Sequence, residues 1–221
     1  MFELDNYCLN YGQSMILENI SMSIDSGERV AVIGESGVGK SSLLEVLRQQ
    51  RANRVAYAPQ DDALVESLSV FHNLYMGELS RHNFFYNLAN LLFPLQAEKS
   101  AMLALTEKLN LQSVMWAPVS QLSGGQARRV IIGRALNQRC DIFVGDEISS
   151  GLDYVQANNM FKLIAESHPT WILALHNIDL ALRYCTRIIA LKDRRIVIDA
   201  ATDQLRAEDL TSIFDSKKLL S

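Results

Sequence analysis

The sequence has 221 residues, 48% of them apolar, which excludes a disordered chain and provides enough apolar side chains for a buried core. The formal net charge is −4, from 25 acidic and 21 basic side chains, so no global basic field favours nucleic acid as the main ligand. Three widely spaced cysteines, Cys8, Cys140 and Cys185, form no C-x-x-C pair. Their spacing indicates reduced core thiols inside the cell and no metal site built from cysteines.

The first strand signals are antiparallel. Residues 2–9 and 16–24 alternate apolar with polar side chains on either side of Tyr11-Gly12, which predicts a strand pair followed by a turn at Asp25–Gly27. Residues 1–5 lack a basic segment followed by an apolar one, so we expect no signal peptide. From residue 28 onward, strand and helix signals alternate as in a parallel sheet with flanking helices. We therefore predict an α/β fold.

The first buried strand of this sheet leads into a phosphate-binding sequence. The apolar run Val30–Ile33 precedes a match to G-x-x-x-x-G-K-[ST], and Ser42 to Leu47 continues as a helix. In that context, backbone N–H groups and the helix N-terminus face the phosphates, Lys40 reaches the β- and γ-phosphates, and Ser41 ligates Mg²⁺. The loop and the helix start comprise Gly34, Glu35, Ser36, Gly37, Val38, Gly39, Lys40, Ser41 and Ser42.

Strand signals disappear from about residue 69 to 111, and apolar side chains recur at helical spacing between Ala97 and Leu109. We predict a helical subdomain over about residues 69–136, inserted into a core formed by residues 1–68 and 137–221, all within one domain. The chain then returns to the sheet, with strands at 142–144 and 171–175, helices at 154–167 and 178–184, and a terminal hairpin at 187–192 and 195–200. About 20 residues follow the hairpin, so we expect no appended regulatory domain.

A pair of carboxylates follows the strand at residues 142–144. Asp146 and Glu147 lie at its carboxyl end, where open α/β sheets bind ligands. Asp146 is placed to hold Mg²⁺ through water, and Glu147 to orient or deprotonate an attacking water. A solvated strand end is the alternative for this pair taken alone, but the preceding phosphate loop favours the catalytic interpretation.

The run Leu122–Gln126 is the most informative in the sequence. Ser123, Gly124, Gly125 and Gln126 precede a helical stretch at residues 127–136. A serine and two glycines at a helix N-terminus form a second anion-binding turn. No partner for it is evident within the same subunit, so we expect it to bind the nucleotide of a second subunit. A glycine-rich helix cap is the alternative.

With these motifs in this order, the sequence resembles the ATP-binding subunits of ATP-binding cassette (ABC) transporters, from about Tyr11 to Ala200. The resemblance implies a P-loop ATPase with a reduced antiparallel subdomain and an inserted helical subdomain. It implies that the chain binds ATP and Mg²⁺, pairs with a second copy or a related subunit, and powers a separately encoded membrane permease. We expect a cytoplasmic location at the inner face of the membrane, a solute-binding protein as a further partner, and no nucleic-acid partner.

The resemblance also implies roles for single residues. Tyr11 matches the aromatic residue that stacks on adenine, with Tyr7 as a competitor, and Gln60 matches the glutamine that senses Mg²⁺ and couples to the permease. Asp153 matches the acid of the loop that crosses the dimer interface, and His176 matches the histidine at the γ-phosphate. The implied catalytic residues are Lys40, Gln60, Glu147 and His176. The implied metal ligands are Ser41, Gln60 and Asp146. The residues implied to bind nucleotide are Tyr11, those of the phosphate loop, Gln60, Ser123–Gln126 and Asp153. His72, His82 and His168 are expected at the surface or in packing.

The sequence departs from the family pattern at several places. Ser41 and Gln60 are 19 positions apart, so a tight connection at residues 49–54 replaces an additional strand-rich segment. Gly145 replaces an apolar residue and Ile148 a proline, and neither change removes a chemical group. The final hairpin lacks a glycine at residues 192–195, so we expect its turn to differ from the two-residue form that needs positive φ.

Residues 80–88 and 175–184 are similar to those of phosphonate-type importer ATPases, which favours an importer. The aromatic stretch at residues 84–93 is interrupted by asparagines and is far shorter than the ~20 residues that cross a bilayer. We expect it to be subdomain core, with the alternative that part of it lines a groove for a permease helix. Two alternatives for the function are a cytosolic ABC regulatory switch and a small-molecule P-loop kinase. The kinase would give no reason for Leu122–Gln126.

Overall fold

The structure, a computed structural model, describes residues 1–60 and 64–214, with side chains to residue 211. The strands are β1 (Phe2–Tyr11), β2 (Ser14–Ile24), β3 (Arg29–Gly34), β4 (Val55–Ala58), β5 (Ile142–Asp146), β6 (Thr170–Ala174), β7 (Arg187–Lys192) and β8 (Arg195–Ala201). The helices are α1 (Lys40–Gln50), α2 (Val70–Tyr75), α3 (Phe84–Leu92), α4 (Gln96–Lys108), α5 (Gly124–Leu136), α6 (Tyr154–Ser167), α7 (Ile178–Tyr184) and α8 (Ala207–Phe214). Short 3-10 helices lie at Ala52–Arg54, Met76–Arg81, Gln112–Val114, Val119–Gln121 and Thr202–Gln204.

The chain divides into two compact units. The first comprises residues 1–55, 141–147 and the chain from residue 168 onward, and the second comprises residues 56–140 and 148–167. The helical subdomain predicted over about residues 69–136 lies within the second unit. The predicted tight connection after α1 is a single 3-10 helix, Ala52–Arg54, that leads directly to β4.

In the first unit, β1 and β2 form a separate antiparallel pair. The other strands lie in the order β5-β6-β3-β7-β8, in which all neighbours are parallel except β7 and β8. Residues Val30–Ile33 and Trp171–Leu175 have no exposed surface, as expected for parallel strands that are covered on both faces. The predicted α/β fold with a mostly parallel sheet and an N-terminal antiparallel pair is confirmed.

The parallel register places the ends of three strands at one edge. Asp146 of β5 and Val32 of β3 both pair with Ala174 of β6, so β5 and β6 end at the same level and β3 continues for two more residues at the same edge. The residues that follow these strands are therefore neighbours, although they are far apart in the sequence.

In the second unit, α2 packs against α5. Gly133 permits the close approach, because a Cβ at this position would lie 2.4 Å from Leu109 Cδ1 and 2.7 Å from Leu74 Cδ2. Helix starts are capped by side chains: Ser69 caps α2, Asn83 caps α3 and Ser123 caps α5, which satisfies backbone N–H groups that have no partner within the helix.

The prediction that the aromatic stretch at residues 84–93 forms subdomain core is wrong. Phe84, Phe85 and Phe93 are 70%, 79% and 79% exposed. The polar residues of α3 instead face the unit: Asn87 accepts a hydrogen bond from the Tyr75 hydroxyl at 2.8 Å, and Asn90 accepts one from the Leu95 N–H at 2.9 Å. These hydrogen bonds fix the rotation of α3 with its apolar side chains outward.

The predicted departure of the final turn is also wrong. Asp193 and Arg194 have φ values of 49° and 70°, the positive values that a two-residue hairpin turn needs. A residue of β2 holds the turn. The Glu18 N–H donates to the Arg194 carbonyl at 2.9 Å, and Arg195 pairs with the Glu18 carboxylate at 2.5 Å. Among the cysteines, Cys8 is exposed and Cys140 is half-buried, so the core prediction holds only for Cys185.

Candidate functional site

The phosphate loop connects the end of β3 to the start of α1. Gly34 has a φ of 151°, and a Cβ on it would lie 2.5 Å from the Leu191 carbonyl oxygen, so only glycine fits. Gly37 and Gly39 also have positive φ values. Ser41 and Ser42 lie in the first turn of α1, where Ser41 is exposed. The loop therefore presents backbone N–H groups and a hydroxyl at a helix N-terminus, the geometry that binds phosphates.

Lys40 is held against this loop. It is 5% exposed, and its Nζ donates to the carbonyl oxygens of Gly34 and Glu35, both at 3.0 Å. Burial lowers the pKa of Lys40, and the negative charges of Glu147 and Asp146 oppose that shift. The ammonium group thus lies near both carboxylates, within the unit that carries the loop.

Asp146 and Glu147 follow β5 at the same edge of the sheet. Asp146 is 3% exposed. Glu147 has a φ of 49°, uncommon for a residue with a side chain, and its N–H donates to the Ala174 carbonyl at 3.1 Å. A conformation of this kind costs on the order of 1 kcal/mol and persists only where surrounding structure imposes it. Here it directs the Glu147 side chain toward the residues that follow β6.

His176 follows β6 and contacts Glu147. The ring Nε2 and the carboxylate Oε1 are 2.6 Å apart. The side chain of His176 is 45% exposed and that of Glu147 is 17% exposed, so the pair lies at the surface of the sheet edge. Asn177 caps α7 by accepting the Leu180 N–H at 3.0 Å, so the helix begins directly after these two residues.

The two tyrosines considered for adenine lie on β1. Tyr11 ends the strand, pairs with Ser14 of β2 and is 59% exposed, whereas Tyr7 is half-buried and pairs with Ile20. An exposed ring is available for stacking, which favours Tyr11 over Tyr7.

The remaining candidate residues, Gln60, Ser123–Gln126 and Asp153, belong to the second unit. The Ser123 hydroxyl accepts the Gln126 N–H at 3.3 Å, and the Gln126 Oε1 accepts the Ser123 N–H at 2.9 Å. This reciprocal pair is a capping box, whose S-x-x-Q spacing is a recognisable sequence signal of a helix start. Because Ser123 Oγ acts as the acceptor, its own hydrogen is free to donate to an anion.

The turn at Ser123–Gln126 lies against the loop that carries Asp153. A Cβ on Gly125 would lie 2.9 Å from the Gly151 carbonyl oxygen. Asp153 caps α6, because its Oδ1 accepts the Gln156 N–H at 2.8 Å, a structural role that sequence reasoning missed. Gln60 is half-buried and lies two residues after β4.

His168 and His72 lie outside both groups. His168 is 1% exposed and packs edge-on against Phe143, and burial lowers its pKa. His72 bonds to the Ser69 hydroxyl, and burial lowers its pKa too. Both are packing residues, as expected.

A parallel sheet whose carboxyl edge carries a phosphate loop, a buried lysine and two carboxylates defines a P-loop nucleotide-hydrolysing protein. The ABC transporter family model matches residues 17–53 and 48–150. The chain belongs to this family, and it is an ATP-hydrolysing, nucleotide-binding subunit.

Curated relatives agree with this assignment. The phosphonates import ATP-binding protein PhnC of Mesoplasma florum is 32% identical in an alignment of 233 positions that spans 90% of this chain and 93% of the relative. The corresponding protein of Maricaulis maris is 33% identical in an alignment of 245 positions that spans 96% of this chain and 92% of that relative. The chain thus spans nearly the whole length of both.

Solved structures share the fold. A nucleotide-free ATP-binding cassette of an ABC transporter superposes with a TM-score of 0.73 at 20% identity, covering 100% of this chain and 97% of that one. A dimeric cassette in a post-hydrolysis state with ADP and Pi gives a TM-score of 0.74 at 23% identity, covering 91% and 99%.

Proposed function

We propose that the chain powers an importer, with a phosphonate or a similar small solute as the cargo. The support is that curated relatives at 32% and 33% identity are named phosphonates import ATP-binding proteins. In the described residues, the helices are too short or too polar to cross a bilayer. The proposal therefore includes separately encoded permease subunits, which hold the chain at the inner face of the membrane, and a solute-binding protein that delivers the cargo.

The proposed active form is a dimer around two ATP molecules. One observation carries it: the capped turn at Ser123 leaves a hydroxyl donor and the exposed Gly124 at the N-terminus of α5, while Lys40, Glu147 and His176 form a separate group at the sheet edge. An anion at the N-terminus of α5 would be stabilised by N–H groups and the helix dipole. We assign to Ser123–Gln126 the ATP bound at the phosphate loop of the partner, with Asp153 at the interface.

The first unit then performs hydrolysis. The N–H groups of Glu35–Lys40 and the Lys40 ammonium bind the phosphates, and Tyr11 stacks on adenine. Glu147 orients the attacking water and accepts its proton, and His176 holds the Glu147 carboxylate and contacts the γ-phosphate. Positioning and charge neutralisation of this kind account for most of the catalysis of phosphoryl transfer.

The residues present fit a Mg²⁺ ion. Mg²⁺ in such sites is bound by one or two carboxylates, waters and the substrate phosphates, and the described chain offers the exposed Ser41 hydroxyl and the buried Asp146 carboxylate near the phosphate loop. When bound, Mg²⁺ neutralises charge on the β- and γ-phosphates. Ser41 and Asp146 would hold it, and the Mg²⁺-sensing role of Gln60 rests on the family resemblance alone.

The outer face of α3 (Phe84, Phe85, Leu88, Leu91 and Leu92) is the proposed contact with the permease. Residues 82–97 contain no Asp, Glu, Lys or Arg, and the hydrogen bonds of Asn87 and Asn90 fix this face outward. An uncharged apolar surface of this kind matches an apolar helix of a protein partner. It lacks the basic residues of helices that bind anionic lipid.

The dimer is tested with Glu147→Gln. At saturating ATP and Mg²⁺ this variant should elute from a sizing column as a dimer and hydrolyse ATP at least ~100-fold more slowly than the wild type, the usual contribution of a general base. With ADP it should elute as a monomer. Adding Ser123→Arg, which blocks the anion-binding turn but leaves the phosphate loop intact, should abolish the dimer. A monomer at saturating ATP, or wild-type hydrolysis, would refute the proposal.

The cargo class is tested by growth. Cells that carry this transporter as their only phosphonate importer should use methylphosphonate as the sole phosphorus source with the wild-type chain and fail with Lys40→Ala. Growth on inorganic phosphate should be unaffected in both. Equal growth on methylphosphonate would assign another solute while leaving the ATPase intact.

A further inference from the structure

The segment that leads to Gln60 is held by side chains from the helix that starts at Ser123. Arg128 of α5 donates through Nη1 to the Pro59 carbonyl at 3.0 Å. Gln138, two residues after α5, accepts the Tyr57 N–H through Oε1 at 3.1 Å. The partners are 69 and 81 positions apart in the sequence, so these bonds depend on the tertiary structure of the second unit.

The Arg128 bond is partly buried. Arg128 is 8% exposed, and a hydrogen bond from a charged donor in a place with little water is stronger than one between neutral groups at the surface. The helix that carries it is anchored, because Val130, Ile132 and Ala135 have no exposed surface. Arg128 therefore ties the Pro59 carbonyl to a firmly packed part of α5.

The first turn of α5 also contacts the loop that carries Asp153. The Gly125 position lies against the Gly151 carbonyl, and Ser123 caps the helix in the same turn. The start of α5 thus includes the turn assigned to the partner's ATP, lies against the interface loop at Gly151 and donates to the segment that carries Gln60.

We propose that Arg128 and Gln138 are positioning residues for Gln60, and that they couple the Ser123 turn of a subunit to the backbone that carries Gln60 in the same subunit. This inference rests on the proposed roles of Ser123 and Gln60. The capping box holds one end of α5, and Arg128 and Gln138 fix the backbone on either side of Ala58. ATP that binds at Ser123 from the partner stabilises the arrangement in which Gln60 is correctly placed.

The first experiment measures hydrogen exchange of the full chain at the backbone amides of Tyr57, Ala58 and Gln60. In Arg128→Met and Gln138→Met, these amides should exchange about tenfold faster or more, since each variant removes one hydrogen bond that holds the segment. Arg128→Lys, which keeps a charged donor, should exchange closer to the wild type.

Arg129→Met is the matched control. Arg129 is also 8% exposed on α5, but it donates to the carbonyls of Leu109 and Gly125, so its variant should leave exchange at residues 57–60 near wild-type values. Exchange at these amides that is unchanged in both Arg128→Met and Gln138→Met, or equally fast in Arg129→Met, would overturn the proposal.

The second experiment is a double-mutant cycle on the Mg²⁺ dependence of ATP hydrolysis. Gln60→Ala and Arg128→Met should each raise the Mg²⁺ concentration for half-maximal rate, and together they should raise it no further than Gln60→Ala alone. Additive effects would overturn the coupling. If Gln60→Ala has no effect on Mg²⁺ dependence, the proposed role of Gln60 fails, whereas the exchange experiment still decides whether Arg128 and Gln138 hold the segment.

Discussion

Replacing His176 with alanine tests whether the contact between His176 and Glu147 contributes to hydrolysis. The substitution removes the 2.6 Å hydrogen bond between Nε2 and Oε1 and leaves the Glu147 carboxylate chemically intact. We expect kcat and kcat/KM for ATP to fall together, because the bond is proposed to hold the carboxylate where it meets the attacking water.

The magnitude follows from the geometry. A hydrogen bond to a charged group contributes about 1.5–3 kcal/mol, but the His176 side chain is 45% exposed, so solvent screening reduces the contribution to about 1–2 kcal/mol. Since 1.36 kcal/mol is a factor of ten in rate, kcat should fall roughly 5- to 30-fold. Glu147→Gln, which removes the base itself, should have the larger effect.

The assay is steady-state phosphate release at saturating Mg²⁺. Asn177→Ala is the matched control, because it removes the cap of α7 next to His176 without touching Glu147. It should lower the free energy of unfolding by about 1 kcal/mol and leave kcat within about twofold of the wild type. The reasoning is refuted if His176→Ala keeps wild-type kcat, or if it lowers the residual rate of Glu147→Gln as much as it lowers the wild-type rate.

Three further predictions concern other parts of the molecule. Gly125→Ala places a Cβ 2.9 Å from the Gly151 carbonyl oxygen. In the Glu147→Gln background it should raise the ATP concentration needed for dimerisation, measured on a sizing column, about tenfold or more. Dimerisation at the same ATP concentration as without Gly125→Ala would contradict this. Burial lowers the pKa of His168 below its usual 6.5, so neutral His168 contributes its full stability above about pH 6.5. That contribution declines as the pH falls toward the folded-state pKa, by at most ~1.4 kcal/mol per pH unit. In urea unfolding, the free energy of unfolding should therefore differ less between pH 7.5 and pH 5.5 for His168→Gln than for the wild type. Replacing Phe85 and Leu92 with serine should reduce the permease that co-purifies with the chain about tenfold or more and leave the ATPase activity of the isolated chain unchanged; equal recovery of permease would remove α3 from the interface.

The strands and helices were largely predictable because their signals are local. The apolar runs at residues 30–33 and 171–175 are fully buried strands, and the helices predicted at 154–167 and 178–184 coincide with α6 and α7. The parallel order of the strands brings the phosphate loop, Asp146 and His176 to one edge, as predicted from the rule that ligands bind at the carboxyl ends of strands.

The two wrong predictions, for residues 84–93 and for the final turn, share a different cause. Polarity along residues 84–93 shows an apolar helix with asparagines, but it does not show which side is covered. That depends on Tyr75 and Leu95, whose hydrogen bonds turn Asn87 and Asn90 inward. The final turn lacks glycine, yet contacts from Glu18 accompany positive φ values at Asp193 and Arg194.

The sequence by itself determined the phosphate loop, the carboxylates after β5, the succession of strands and helices along the chain and the family, because each is encoded in residues adjacent along the chain. Only the tertiary structure decided that Glu147 takes a left-handed backbone and meets His176, that α3 turns its apolar side chains outward, and that Arg128 reaches Pro59. Each of these depends on hydrogen-bond partners that only the folded chain selects, from 5 positions away for Asn90 to 69 positions away for Arg128, and no local pattern of polarity or spacing contains their identity.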